Sequence, residues 1–391
     1  MIIWLAMLIP LMGCFIAYLG WKKEFVWWEL LLPSAACFLL ILGIKYVREY
    51  SATLDKQYLS GLIVEARYYE AYSTWITETC SEQYQCGTDS KGHAEYCTRY
   101  YDCSHCDEHD AYWMAYDNQG HSWSISEQKY NDLRIKWKSV PVKIELNRNI
   151  DFHGGCGKDG DAYSVTWKGD ILTSESSTWS ENYKNKVQTA KANFDLLDIS
   201  HREASKLNLY EYPGIDKYSQ ETILGLDSLK TISDAIKRGT RIYFNYFNGY
   251  YGPIRKIHIF VLMTYGKPIE TAVKQKYYWD GGNKNEVVIC IDVNKNTGSI
   301  NWVYPFTWTT NKRIEIDLRN DIANIDKINF LQLYRIIEKD TEQFQYRDFK
   351  EFDYLQVDPS TFELWLTYIL TSLATIGLLY YGFENQFELE E

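Results

Sequence analysis

The sequence predicts an α+β fold: a membrane-anchored chain in which a cysteine-stapled antiparallel β domain is followed by an α/β sandwich domain. Three observations carry that reading. Apolar stretches lie near both ends, six of the nine cysteines fall between positions 80 and 156, and beyond position 225 helical and strand periodicities alternate. With 391 residues, 46% hydrophobic and 24% charged, the chain can bury sizeable cores. Its net charge of -11, with no long Lys/Arg run, excludes a nucleic-acid partner, which needs a basic footprint to displace counterions. The 33 tyrosines and 14 tryptophans recur in alternating runs that suit half-buried strands.

Residues 2–19 carry no charge and 26–44 carry only Glu29, so at ~1.5 Å of rise per residue each is long enough for a hydrocarbon core of roughly 30 Å. Together they predict a transmembrane helical hairpin over 1–46. A third span is expected over 361–384, where Glu363 is an early acid and Thr367, Thr371 and Ser372 dilute the apolar run. Trp27, Trp28 and Trp365 sit where interfacial aromatics belong. No basic segment precedes the first stretch and no small-x-small site follows it, which favours an uncleaved hairpin over a signal peptide. The lipid bilayer is thus the first expected partner.

The β domain is expected over 55–172. Cys80 and Cys86 are six residues apart, as are Cys97 and Cys103, so a hairpin sets Cys86 opposite Cys97 and Cys80 opposite Cys103, all on one side. Cys106 and Cys156 complete an even set of six, since Cys14 and Cys37 lie in apolar stretches and Cys290 in a strand. Disulfides persist in oxidising compartments, which places the domain on the exoplasmic side. Basic residues argue the other way: Lys45, Arg48, Lys56, Arg347 and Lys350 flank the spans on the domain side, against Lys22 and Lys23 in the short 21–25 loop. That rule weakens for long translocated domains, so the cysteines decide. A zinc site is the alternative, because Cys103-x-x-Cys106 and His153-x-x-Cys156 form two chelating pairs.

A long alternating strand over 61–80 leads into the cysteine hairpin. A second hairpin follows over 111–125 with Gly120 in its turn, and the two predict a four-stranded sheet. Ser124 and Glu127 read as the capping box of a short helix, marked by Tyr130, Leu133 and Trp137, laid on that sheet. Segment 151–163 is glycine-rich loop. A helical connector over 173–224 holds one amphipathic helix through Tyr183, Val187, Ala190 and Phe194.

From 225 to 345 the expected order is α-β-α-β-β-α. A helix through Leu226, Leu229, Ile232 and Ile236 stops at Gly239, with a further turn or two ending at Asn248-Gly249. A strand over 254–265, a helix with Ile269, Ala272 and Val273, strands over 286–293 and 299–308, and a helix with Phe330, Leu333, Tyr334 and Ile337 complete the domain. Pro305 confines the last strand to an edge or a bulge.

Within 257–308, V-L-M-T-Y-G, a helix, and Y-W-D-G-G-N-K-N-E-V-V-I-C-I-D-V before a further strand resemble the TPM domain family, with Trp279, Gly282 and Asn285 as the motif-like positions. The resemblance spans residues 226–337. It implies an α/β sandwich, commonly membrane-tethered and exoplasmic, which in some members is a phosphatase and in others a calcium-binding or assembly factor. The Gly-rich turn usual after the last strand is not evident in this sequence. The whole chain is also similar to three-span membrane proteins of tailed bacteriophages and bacteria.

Other chemistry is sparse. Asp159 and Asp161, and Asp280 beside two glycines, suggest hard-cation loops, yet calcium takes six to eight oxygens and neither cluster supplies them alone. His93, His105, His109 and His121 fall in turns and strand ends, and His258 falls inside a strand as a core residue. There is no phosphate loop, G-x-S-x-G elbow or H-E-x-x-H. The expected function is therefore a non-enzymatic, membrane-anchored interaction or assembly module with a protein partner; zinc and calcium are the only ions the sequence suggests. Its alternatives are a TPM-like metal-dependent phosphatase or hydrolase working through Asp280, and a zinc-stabilised cytoplasmic adaptor.

Overall fold

In the computed structural model, which describes residues 2–21, 27–88, 91–146, 148, 150–214 and 221–384, the two ends of the chain meet as three packed helices. A 3-10 segment (Ile2–Met7) continues into α1 (Leu8–Trp21), which packs with α2 (Trp27–Thr53) and α9 (Thr361–Glu384). Small and polar groups make the contact. Thr367, Thr371 and Thr375 share one buried face of α9, Thr375 Oγ1 lies 3.6 Å from Cys37 Sγ, and a Cβ at Gly13 would meet the Thr375 methyl at 2.8 Å. Outward, Leu5, Met12, Phe15, Leu39, Trp365 and Ile376 are exposed. Leu31–Thr53 and Thr361–Tyr381 are long and apolar enough to cross a membrane, and Ile3–Leu19 is a shorter apolar helix. Residues 22–25 and the Trp27 and Trp28 side chains lie outside the described residues.

Helix α2 runs directly into β1 (Leu54–Tyr69). The first half of β1 pairs antiparallel with β10 (Ser176–Lys184), and its second half lies between β6 (Tyr112–Asp117) and β9 (Ala162–Thr166). With β7 (Ser122–Ile125) and β8 (Val142–Ile144) the order is β7-β6-β1-β9-β8. Helix α3 (Glu127–Trp137) covers one face, Tyr130, Leu133 and Trp137 packing with Ile63, Ala66 and Val165. Its cap is Ser126, which accepts from Lys129 N at 3.1 Å, rather than Ser124. Ser124 is held in the β7 ladder opposite Met114 and cannot also start a helix.

The cysteine hairpin does not join this sheet. Strands β2 (Tyr72–Ile76) and β5 (His105–His109) form one two-stranded ribbon, and β3 (Thr79–Thr88) and β4 (Ala94–Asp102) form another. Polar residues on both faces of β3–β4, such as Glu82, Gln83, Thr98 and Arg99, leave it no apolar side to bury, so it stands in solvent. The helix expected through Tyr183 and Phe194 is also absent. Residues 176–184 pair with β1 over their whole length, and 3-10 turns at Lys186–Thr189 and Lys191–Phe194 follow, so sheet pairing overrides the local spacing. A short α4 (His201–Leu207) is the one α-helix of the connector among the described residues.

The second sheet has the order β11 (Ile223–Leu224), β12 (His258–Thr264), β13 (Glu286–Val293) and β14 (Ile300–Thr307), parallel except for its last pair. Alternate residues of β12 face two layers. Ile259, Val261 and Met263 meet Phe244 and Phe247 of α5 (Asp234–Arg255), Leu318 of α7 (Arg313–Ala323) and Leu333 of α8 (Phe330–Asp340). Phe260 and Leu262 meet Ala272 of α6 (Glu270–Tyr278) and Trp279. Covered on both sides, β13 is buried at every position. Pro305 lies in the edge strand β14, where a missing N–H costs nothing.

Three expectations change here. Leu226–Ser228 is a 3-10 turn and the helix starts at Asp234, capped by Ser233. That helix runs through Gly239 and Gly249 to Arg255, because burial of Phe244 and Phe247 outweighs a glycine penalty of ~1 kcal/mol. Helix α7 was not anticipated. Helix α5 also packs on β1 and β10, so it serves both sheets. Asn285 Nδ2 donates to Tyr58 O at 2.7 Å, and Asn118 Nδ2 to Gly249 O at 3.4 Å, across the same interface.

Candidate functional sites

Three disulfides, Cys80–Cys103, Cys86–Cys97 and Cys106–Cys156, join Cα atoms 5.6 to 5.7 Å apart. The first two link the expected partners in an unexpected register. Tyr84, not Cys86, lies opposite Cys97, and Tyr101, not Cys103, lies opposite Cys80. Each bridge therefore runs diagonally, by a two-residue offset, and Cys86 falls where the ladder bulges between Gln85 and Gly87. Cys106–Cys156 ties β5 to the glycine-rich loop. That loop also grips β2, with Ser73 N donating to Lys158 O and Trp75 N to Asp151 O, both at 3.0 Å.

The alternative zinc set is not assembled. Cys103 and Cys106 sit in different disulfides, Cys156 is bonded to Cys106, and His153 packs on the Trp75 ring at 4.8 Å. Zinc needs thiolates, and these sulfurs are already bonded. Among the described residues the one potential ligand trio is Glu78 with Cys80 and Cys103, a bridged pair. The candidate histidines have local partners: His105 Nδ1 is 3.4 Å from Cys103 O, His109 stacks on Tyr72 at 4.2 Å, and His121 Nδ1 lies 3.2 Å from Asp117. His93 is exposed near the ribbon tip. His258 is buried near Ser60 and Asn248, and burial pushes its imidazole down to about 3, so it is a neutral core residue.

A cleft of about 600 Å³ opens between β1 and the loop after α6. Asp280, Gly281 and Gly282 have φ of 52°, 83° and 80°, a left-handed run that glycine adopts freely and aspartate at a cost. The turn sets Asp280 2.8 Å from Lys191 Nζ, and Asp198 lies 2.7 Å from the same ammonium. Asp55 accepts from Tyr183 OH and Asn185 Nδ2, each at 2.7 Å. Tyr58 stacks on Tyr212 with centroids 5.8 Å apart. Behind this wall the wholly buried Glu286 accepts from Tyr212 OH, from Asn283 N at 2.8 Å and from Asn283 Nδ2 at 2.7 Å. Burial pushes its carboxyl up to about 7 against those hydrogen bonds, and raises Asp280 against the pull of Lys191.

The suggested cation loops are not built as calcium cages. Asp161 is ion-paired with Lys143 at 2.7 Å, Asp159 is exposed in the loop that braces β2, and Asp280 has an ammonium where a cation would sit. Lys191, Tyr212 and Glu286 escaped the sequence reading. One signal was available: Asn283 and Glu286 stand at the three-residue spacing of a capping box, and Glu286 makes the corresponding contact to Asn283 N. No family model matches the chain, and neither the curated proteins nor the solved structures searched include a match.

Proposed function

We propose that this chain is a membrane-anchored interaction module that presents the disulfide ribbon to a protein partner on the oxidising side of the membrane. The observation that carries this is the ribbon itself. Tyr84, Tyr96, Tyr100 and Tyr101 are 47%, 65%, 72% and 42% exposed on a β3–β4 hairpin fixed by two of the three disulfides. Exposed tyrosines on a pre-ordered scaffold offer large contact area at low entropic cost, which is what interface anchors need. The third disulfide fixes the base of the arm to the body.

Membrane anchoring draws on the apolar outer faces of α1, α2 and α9, which water would not tolerate as one continuous patch. Counting its 3-10 start, the first helical segment is 20 residues, roughly 30 Å at ~1.5 Å per residue, which supports three spans. The disulfides support the exoplasmic side. The resemblance of 226–337 to TPM domains, and of the chain to phage and bacterial three-span proteins, belongs to the same reading. A hydrolase working through Asp280 has less support, because Lys191 already neutralises that carboxylate.

Site-specific photo-crosslinking in intact cells tests the proposal, with a benzophenone amino acid at Tyr100 and, as control, at the exposed Ile135 on α3. A discrete adduct from position 100 alone, lost in Cys86→Ser/Cys97→Ser, is expected. Native alkylation should label the six arm and loop cysteines only after reduction. Free thiols before reduction, or no adduct from the ribbon, would remove the basis of this reading.

A further inference from the structure

We infer that the cleft between β1 and the 279–286 loop is a binding site for an organic ammonium group. The lining is electronegative and aromatic together. Asp55, Asp198, Glu211 and Asp280 line it together with Lys56, Lys191 and His201, and the rings of Tyr58, Tyr277 and Tyr278 form much of the wall, backed by Tyr212 and the buried Trp279. An ammonium bearing alkyl groups gains from both, from ring faces through their quadrupoles and from carboxylates through charge. A phosphate or carboxylate ligand would meet four acids against two lysines, one of which, Lys191, is already paired with Asp198 and Asp280.

The chain already seats an ammonium there. Lys191 Nζ bridges Asp198 at 2.7 Å and Asp280 at 2.8 Å while its side chain is 23% exposed, so the two carboxylates are placed to share one cation. The left-handed turn at 280–282 fixes Asp280 in that position, and the Tyr58–Tyr212 stack with the buried Glu286 behind it stiffens the opposite wall. A bare divalent ion fits less well: among the described residues, no trio of His, Cys, Asp or Glu donors in the cleft converges within 4.8 Å.

A second hollow shares part of this lining. Gln188, Lys191 and Asp280 also line an adjoining hollow of about 550 Å³, bordered by Arg48 and Ala52 near the end of α2 and by Asp358 just before α9. A quaternary ammonium can therefore come from solution or, on the membrane reading above, from a lipid headgroup. The shared chemistry is the alkylated ammonium.

Calorimetric titration of the full-length protein in maltoside micelles tests this, with choline and its neutral isostere 3,3-dimethyl-1-butanol as probes. Choline should bind about tenfold or more tighter, since the cation–ring and cation–carboxylate attractions vanish in the isostere. Asp280→Asn and Tyr58→Leu should each weaken choline several-fold. Lys191→Met should strengthen it, because it releases two carboxylates from their internal partner. That opposite sign keeps the test decisive if another variant fails to fold. In nanodiscs, loss of the choline signal with phosphatidylcholine but not phosphatidylglycerol identifies the headgroup as the source, whereas equal signals identify the free amine. Equal affinity for the two probes, no choline binding, or weakening by Lys191→Met overturns the assignment.

Discussion

Gly249 of α5 lies against Gly61 of β1 so closely that a Cβ at 249 would meet the Gly61 carbonyl oxygen at 2.6 Å. Helix and strand touch through their backbones. Gly249→Ala should therefore destabilise the protein by about 1–3 kcal/mol, as overpacking does against unyielding backbone. Gly239→Ala in the same helix, whose Cβ would have nothing within 4 Å, should stabilise it by about 0.5–1 kcal/mol. Thermal unfolding of the two variants side by side checks the contrast. Shifts of the same sign would mean that α5 is not clamped on β1.

The three disulfides should differ in what they stabilise. Cys106–Cys156 closes a sequence separation of 50 and joins the arm to the loop beneath it, so Cys106→Ser/Cys156→Ser should cost about 2–4 kcal/mol. Cys86–Cys97 spans 11 residues in a solvent-exposed ribbon, so Cys86→Ser/Cys97→Ser should fray the tip and leave global unfolding within about 0.5 kcal/mol. Calorimetry reads the first effect. Limited proteolysis within 81–98 reads the second.

Stability should carry a pH signature from Glu286. Its carboxyl is held at about 7 in the fold, above its ordinary value of 4.5, so between those values the folded protein binds more protons than the unfolded chain. Stability from this group accordingly falls as pH rises from 4.5 to 7 and then levels, by about 3 kcal/mol in all. His258, held at about 3, works in the opposite sense: its contribution rises with pH up to its ordinary value of 6.5. Urea unfolding of Glu286→Gln against wild type, from pH 5 to pH 8, isolates the first term. The difference should shift in favour of the glutamine variant as pH rises, and a pH-independent difference would contradict the assignment.

Uniform burial made one strand fully legible in the sequence. β13 is apolar at nearly every position, and both its limits and the edge placement of Pro305 follow from composition. The disulfide partners were legible from cysteine spacing, but their register was not, because residues two positions off the facing pair also come within bridging distance, so spacing alone does not say which residues face each other. Tyr183 and Phe194 misled for another reason. Their helical spacing reflects two separate contacts, Tyr183 with Phe349 and Phe194 with Trp308 and Phe352, made from a strand and a 3-10 turn. Asp280 drew attention beside its glycines, whereas Lys191 could not, since only tertiary folding brings residues 191 and 280 together.

The passage from Thr53 of α2 to Leu54 of β1 without an intervening loop has a mechanical meaning. A head joined by a slack tether can tumble; one whose central strand continues its supporting helix is steered. Glu49 braces the junction through Lys184 at 2.5 Å and Lys186 at 3.4 Å, so torque on the helix passes into β10 as well as β1. Tilting or turning α2 would swing the sheet and the ribbon at its far end as one lever, and the aim of the arm would be set by the orientation of a helix at the opposite end of the same strand.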